Sequence, residues 1–169
     1  MCIRDSIRCI QGQSAFSQNT LAELIRRPEL NYKMLADIDA DAFILDCIPN
    51  PSPKEITDRT VDFVMTLHQK HADTPIIVIQ TLIRETGNFN QKARENVKRQ
   101  NEAIAEQVEV LRKKNVKNLY FIKEDQFLGT DHEGTVDGTH PNDLGFDRML
   151  KKYKPAISKI LKIKFCLLY

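Results

Sequence analysis

The chain has 169 residues, which is one domain's worth and enough to bury a sizeable core. Hydrophobic residues at 41% against charged residues at 28% fit a globular domain rather than a disordered chain. A net charge of +2 argues against a nucleic-acid partner, which would need a concentrated basic face, and no apolar run reaches the ~18 residues of a membrane span.

Both ends are expected to stand outside the fold. Met1-Cys2-Ile3-Arg4-Asp5-Ser6 resembles the translation of a transposase-type sequencing adapter, and Cys166-Leu167-Leu168-Tyr169 resembles that of the adapter's reverse complement. The domain is therefore expected over residues 7–165, with 1–6 and 166–169 non-native. No signal peptide is visible, and the sequence does not reveal a compartment. Of the four cysteines, Cys9 and Cys47 lie in apolar strand-like runs and read as small buried hydrophobes. No CxxC or Cys/His zinc spacing occurs, so neither a disulfide nor a metal is expected.

Ile7–Ile10 reads as a short strand feeding a polar loop, Gly12-Gln13-Ser14-Ala15-Phe16-Ser17-Gln18-Asn19. Thr20 is placed to cap a helix, with Glu23 at the capping-box position, and that helix must stop near Pro28. A second short helix is predicted over about 29–38. The run Ala42–Cys47 suits a strand buried on both faces of a parallel sheet. Pro49, Pro51 and Pro53 then stiffen a loop with Asn50 in its middle.

A helix follows over about 54–71, with Ile56, Thr60, Phe63, Val64 and Leu67 on its inner face. Ile76–Ile79 is the next buried strand, and residues 80–90 form a long polar loop. A helix from about Asn90 to Lys114 turns Ala93, Val97, Ile104, Val108 and Leu111 inward, with Asn115 as its C′ residue. Leu119–Ile122 is another strand. A last helix over about 143–162 carries Phe146, Leu150, Tyr153, Ile157 and Ile160 as its expected buried stripe. Strands alternating with crossover helices predict an α/β domain of three layers around a parallel sheet.

In open parallel sheets, functional groups gather beyond the carboxyl ends of the strands. Those ends carry three candidate groups. Asp137 lies three residues before His140 on a Gly/Pro-broken loop. A carboxylate that accepts Nδ1–H fixes the histidine tautomer and leaves Nε2 free to take a proton. The alternative is a plain polar loop leading into a helix at Asn142. A metal reading of Asp131, His132, Glu133, Asp137 and His140 also exists, although the spacing matches no known ligand motif such as HExxH. His132 alone reads as a solvated loop residue.

Asn50, on its stiff loop, is an uncharged donor suited to a developing oxyanion, or else a turn residue. Ser14 and Ser17 lack a GxSxG elbow and read as structural or substrate-facing. Arg84, on the long loop after the Ile76–Ile79 strand, reads as a solvated residue or as a contact for a small anion.

Leu45-Asp46-Cys47-Ile48-Pro49-Asn50 and Gly134-Thr135-Val136-Asp137-Gly138-Thr139-His140-Pro141-Asn142-Asp143-Leu144-Gly145-Phe146 together resemble the SGNH/GDSL hydrolase superfamily, closest to its bacterial GDSL-like lipase/acylhydrolase branch. The Asn block matches at Asn50, with Pro-Asn in place of the commoner Asn-Asp. The DxxH block matches at Asp137 and His140. Gly12-Gln13-Ser14-Ala15 resembles the Gly block, with Ala15 where a glycine is usual. The Gly-Asp-Ser-like nucleophile block is absent, and Ser6 after Asp5 imitates it only by coincidence.

The resemblance implies a flavodoxin-like sheet of order 2-1-3-4-5 that lacks its first, central strand, so that Ile7–Ile10 should pair directly with Ala42–Cys47 or be poorly packed. It implies a serine-type acyl or acetyl esterase acting on a small-molecule or carbohydrate ester. His140 would be the base, Asp137 its orienting acid, and Asn50 with the N–H of Ala15 or Gly12 the oxyanion hole. The nucleophile would be missing and the chain inactive, with no cofactor and no metal. The rival readings are a non-catalytic flavodoxin-like binding domain for a small molecule or carbohydrate, and a metal-dependent hydrolase. Oligomeric state is not legible.

Overall fold

The computed structural model describes residues 32–162. The expectations for Ile7–Ile10, the Gly12–Asn19 loop and the Thr20 helix lie outside the described residues. Within them the order is α1 (Tyr32–Ala36), β1 (Phe43–Leu45), α2 (Pro53–Lys70), β2 (Ile76–Ile79), a 3-10 turn (Glu85–Asn88), α3 (Gln91–Lys113), β3 (Leu119–Ile122) and α4 (Asp143–Leu161).

The strands form one parallel sheet in the order β1-β2-β3, with Phe43 opposite Ile76 and Ile76 opposite Leu119. Alternation along each strand divides the core into two. Phe43, Leu45, Ile76 and Val78 face α1, α2 and α3. Ile44, Ile77, Ile79 and Ile122 face α4, where Phe127, Leu128 and Met149 complete the packing. Strands this apolar on both faces are stable only between two helical layers. The fold is therefore a three-layer α/β/α domain with a flavodoxin-like parallel sheet. No helix among the described residues is long and apolar enough to cross a membrane.

The helix boundaries follow local chemistry. Ser52 opens α2 through a reciprocal capping box, with its hydroxyl accepting from Glu55 N and Glu55 Oε2 accepting from Ser52 N at 2.8 Å. Pro53 at the first turn costs nothing there, because its missing N–H would have been unpaired. Asn90 caps α3, and Asn115 takes the left-handed conformation just past its end.

The α4 stripe departs from expectation. Phe146 is 58% exposed and Leu150 59% exposed, while Gly145 and Met149 are buried. The cause is at the helix start. Asn142 Oδ1 accepts from Gly145 N at 2.9 Å, and a Cβ on Gly145 would lie 2.0 Å from the Gly134 carbonyl oxygen. This close approach turns Gly145 and Met149 inward and swings Phe146 and Leu150 about 100° around the axis. Tyr153, Ile157 and Ile160 are packed on the sheet as expected. Cys47 is a buried free thiol, as its run implied.

Asp46 follows β1, and burial pushes its carboxyl up to about 6. In an unfolded chain an aspartate titrates near ~3.9. Between these values the folded state holds a proton that the unfolded state has lost, so Asp46 adds stability as pH falls through 6 and penalises the fold above it. The ionised group should cost up to about 3 kcal/mol at neutral pH. Urea denaturation from pH 7.5 to pH 5 should therefore show a gain in stability that Asp46→Asn abolishes.

Candidate active site

Residues 134–142 fold back on themselves. Thr135 and Pro141 form an antiparallel bridge, Val136 N donates to His140 O at 2.8 Å, and Asn142 N donates to Gly134 O at 3.1 Å. Asp137 to His140 form the tip. Gly138 sits at φ +82°, where a side chain would be strained, and a Cβ there would come within 2.8 Å of Thr86 Oγ1.

The tip is organised by one carboxylate. Asp137 Oδ1 accepts from Thr139 N at 2.9 Å and from His140 N at 2.8 Å. Its other oxygen, Oδ2, is 2.7 Å from His140 Nδ1 and accepts that proton in the Nδ1–H tautomer. These bonds, with the His140 backbone N–H foremost, hold the Asp137 carboxyl well below the usual carboxylate range. Three-residue spacing therefore serves twice, because the acid closes the turn and grips the ring it carries. The His140 side chain is 77% exposed, and no described residue bonds to Nε2. That nitrogen is free to exchange a proton with a bound molecule.

Asn50 lies on a different loop, at the carboxyl end of β1. Its side chain is exposed and bonded to no described residue. The loop around it is held from beneath by Gln100, a residue of α3 that is only 2% exposed. Its Nε2 donates to the carbonyls of Ile48 at 3.1 Å, Pro49 at 3.3 Å and Pro51 at 2.7 Å. The neighbouring Asn101 grips the loop after β2, exchanging bonds with both the N–H and the carbonyl of Thr81 at 2.9 and 2.8 Å.

Three consecutive residues of that loop join the Asn50 and His140 loops. Arg84 Nη2 donates to Pro49 O at 3.0 Å. Glu85 accepts from Gly134 N at 3.0 Å through Oε1 and from the Thr135 hydroxyl through Oε2. Thr86 directs both its backbone N–H and its hydroxyl onto Gly138 O, each at 2.7 Å. The structure thus bonds Asp137 to His140 directly and links the Asn50 loop to theirs through residues 84–86. Beside this link lies a groove of about 630 Å³, walled by Gln80, Ile83, Arg84, Val97, Asn101 and Thr139 among others.

The other sequence candidates fall elsewhere. Gly12 and Ala15, and Ser6, Ser14 and Ser17, lie outside the described residues. Asp131 forms a two-pronged pair with Arg148 at 2.6 and 2.5 Å, which holds its carboxyl down at about 2. His132 Nδ1 meets the Asn88 amide at 3.0 Å. Among the described residues, no three His, Cys, Asp or Glu side chains are grouped so as to hold a metal ion.

Sequence reasoning missed Glu85, Thr86, Gln100 and Asn101. Gln100 left a signal, since it falls on the apolar stripe between Val97 and Ile104, where a polar side chain needs buried partners. Glu85 and Thr86 left none beyond the length of their loop.

The sequence model of the GDSL-like lipase/acylhydrolase family matches residues 26–158. No protein of curated function matches the chain in sequence. Among solved structures, a protein of Bacteroides ovatus ATCC 8483 assigned as a GDSL-like lipase is 96% identical, with a TM-score of 0.79, over 80% of this chain and 40% of that one. The salicylyl-acyltransferase of a tetracycline biosynthetic pathway is 16% identical, with a TM-score of 0.65, over 86% of this chain and 44% of that one. A carbohydrate esterase of family 3 from Talaromyces cellulolyticus is 15% identical, with a TM-score of 0.62, over 87% of this chain and 70% of that one. The last two share the fold. The chain spans less than half the length of the first two.

Replacing Gln100 by Leu would keep the apolar stripe and strip the Ile48–Pro51 carbonyls of their donor. The variant should lose about 2–3 kcal/mol in urea denaturation, the cost of stranding buried polar groups. Amide exchange should quicken at Ile48, Asn50 and Ser52, while the 137–140 tip keeps its protection.

Proposed function

The chain belongs to the GDSL-like lipase/acylhydrolase family, and from that premise we propose that it carries the proton-transfer and oxyanion-binding parts of a serine-type ester hydrolase. The observation that carries this reading is the 2.7 Å contact between His140 Nδ1 and Asp137 Oδ2, with Nε2 open to solvent.

In this reading Nε2 takes the proton of an attacking serine hydroxyl as the ester carbonyl becomes tetrahedral. Asp137, ionised across the working pH range, holds the ring and stabilises the imidazolium. The Asn50 amide donates to the oxyanion, together with a backbone N–H from Ala15 or Gly12. His140 then returns the proton to the departing alkoxide. Water repeats the cycle on the acyl-enzyme. The link through Arg84, Glu85 and Thr86 supports the reading, because it holds the base and the Asn50 donor to one segment of backbone. The substrate is a small-molecule or carbohydrate ester carrying an acyl or acetyl group.

The sequence Gly-Asp-Ser does not occur in these 169 residues. The chain as it stands is therefore inert toward esters, or nearly so, since a base without a nucleophile leaves only the weak catalysis of an oxyanion hole. The second reading, a non-catalytic small-molecule or carbohydrate-binding domain, draws on the groove beside Arg84.

Incubated with p-nitrophenyl acetate, the chain should release p-nitrophenol at no more than the buffer rate. Joined to a serine-bearing first strand from a family member, it should turn over, and His140→Ala should then lower kcat by roughly 10³-fold or more. Turnover by the unextended chain that a serine-directed phosphonate abolishes would overturn the inertness. Turnover by the extended chain that survives His140→Ala would overturn the role of the base.

A further inference from the structure

Arg84 is a half-buried cation in an unusual position. Its Nη2 donates to Pro49 O at 3.0 Å, and among the described residues that is the one hydrogen bond its guanidinium makes. A guanidinium offers five N–H donors in a rigid fork. The described residues give it no carboxylate within ion-pair distance, whereas Arg59, Arg112 and Arg148 each have one. Burial lowers its pKa, so the fold is spending desolvation on this charge without returning a counter-charge.

The location gives that charge a use. Arg84 walls the groove of about 630 Å³. One side of the groove runs along α3 past Ala93, Val97 and Ala105, and the other ends at Thr139, the residue before His140. The apolar floor would exclude water and strengthen a charged contact. Arg94 and Lys98 line the same groove, but Arg94 is occupied with the Gly87 carbonyl at 2.7 Å and Lys98 lies 3.8 Å from Glu102. Glu102 and Glu124 also line it. These acids oppose a multiply charged ligand and leave Arg84 matched to a single negative charge.

We propose that Arg84 is a specificity-determining residue, which receives a carboxylate carried by the ester substrate and seats it in the groove beside Thr139, next to His140. The proposal rests on the esterase reading above and names its substrate class, an ester that also bears a monoanionic carboxylate. The planar fork suits a two-pronged carboxylate contact, which a lysine would make less well. Because the same guanidinium holds Pro49 O, the carboxylate would be bound one residue from Asn50.

The test uses the chain as it is, with two probes of nearly equal size, monomethyl succinate and dimethyl succinate. The first is an anionic ester and the second a neutral one. Binding is followed by ¹H–¹⁵N chemical shifts. Monomethyl succinate should shift the amides of Arg84, Val97, Asn101 and Thr139, and bind about tenfold more tightly than dimethyl succinate. Arg84→Met should remove that preference, so that the two probes bind alike. Arg84→Lys keeps the charge and a donor for Pro49, and should retain part of the preference. It also shows whether a change in Arg84→Met reflects lost charge rather than a displaced loop.

Equal binding of the two probes, with shifts at Asn50 and His140, would overturn the carboxylate proposal and leave the esterase reading standing. Arg84-dependent binding of the anion with no shift at Asn50 or His140 from either probe would overturn the proposal as a substrate site and favour the binding-domain reading. A preference for the anion that persists in Arg84→Met would overturn the assignment to Arg84.

Discussion

Three prolines leave the loop after β1 short of N–H donors, so its carbonyls must find partners elsewhere. Gln100 supplies them from inside α3, one buried amide serving three carbonyls. A polar side chain in a helix core is costly unless it is satisfied, and here its donors are. Asn101 does the same for the loop after β2. Two adjacent residues of one helix turn therefore set the height of both loops above the sheet. The remainder of the site is built upon them. Arg84, Glu85 and Thr86 extend from the loop that Asn101 holds, and reach the Asn50 loop on one side and the His140 loop on the other.

The division of labour in the molecule follows from this. The two-faced sheet supplies rigidity through Phe43, Ile76 and Val78 on one side and Ile44, Ile77 and Ile79 on the other. The loops at its carboxyl end carry the candidate site residues. Each is fastened by side chains from another segment, and most of those side chains are amides, hydroxyls or carboxylates that bond to backbone. Such bonds are indifferent to the side chains displayed on the loop. The frame can hold its shape while the substrate-facing residues vary.

The frame was legible in the sequence because periodicity reports burial. β2 and β3 have the boundaries that their β-branched and aromatic runs indicated, and the inner face of α2 is the one its spacing gave. The Asp137–His140 bond was legible because the spacing itself creates it. The fastenings were not, since Glu85 meets residues 49 and 50 positions away in the chain and Thr86 meets one 52 away, and nothing local marks such pairs. The misplaced stripe on α4 has a similar origin. Spacing fixes which residues share a face, but the contact between Gly145 and Gly134 decides which way the face points. For the same reason, the bonds by which residues 84–86 reach both the Asn50 loop and the His140 loop had to be seen.

That contact at Gly145 also has a mechanical side. With Gly134 against its first turn, α4 is packed directly on the histidine loop, and the 19-residue helix forms an arm of about 28 Å. The far half of the arm is clamped to the sheet by Tyr153, Ile157 and Ile160, and Pro155, which lacks an N–H for the ladder, softens it there. One degree of tilt about that clamp carries the imidazole roughly a third of an ångström. Side chains far from His140 can therefore shift its imidazole through leverage alone.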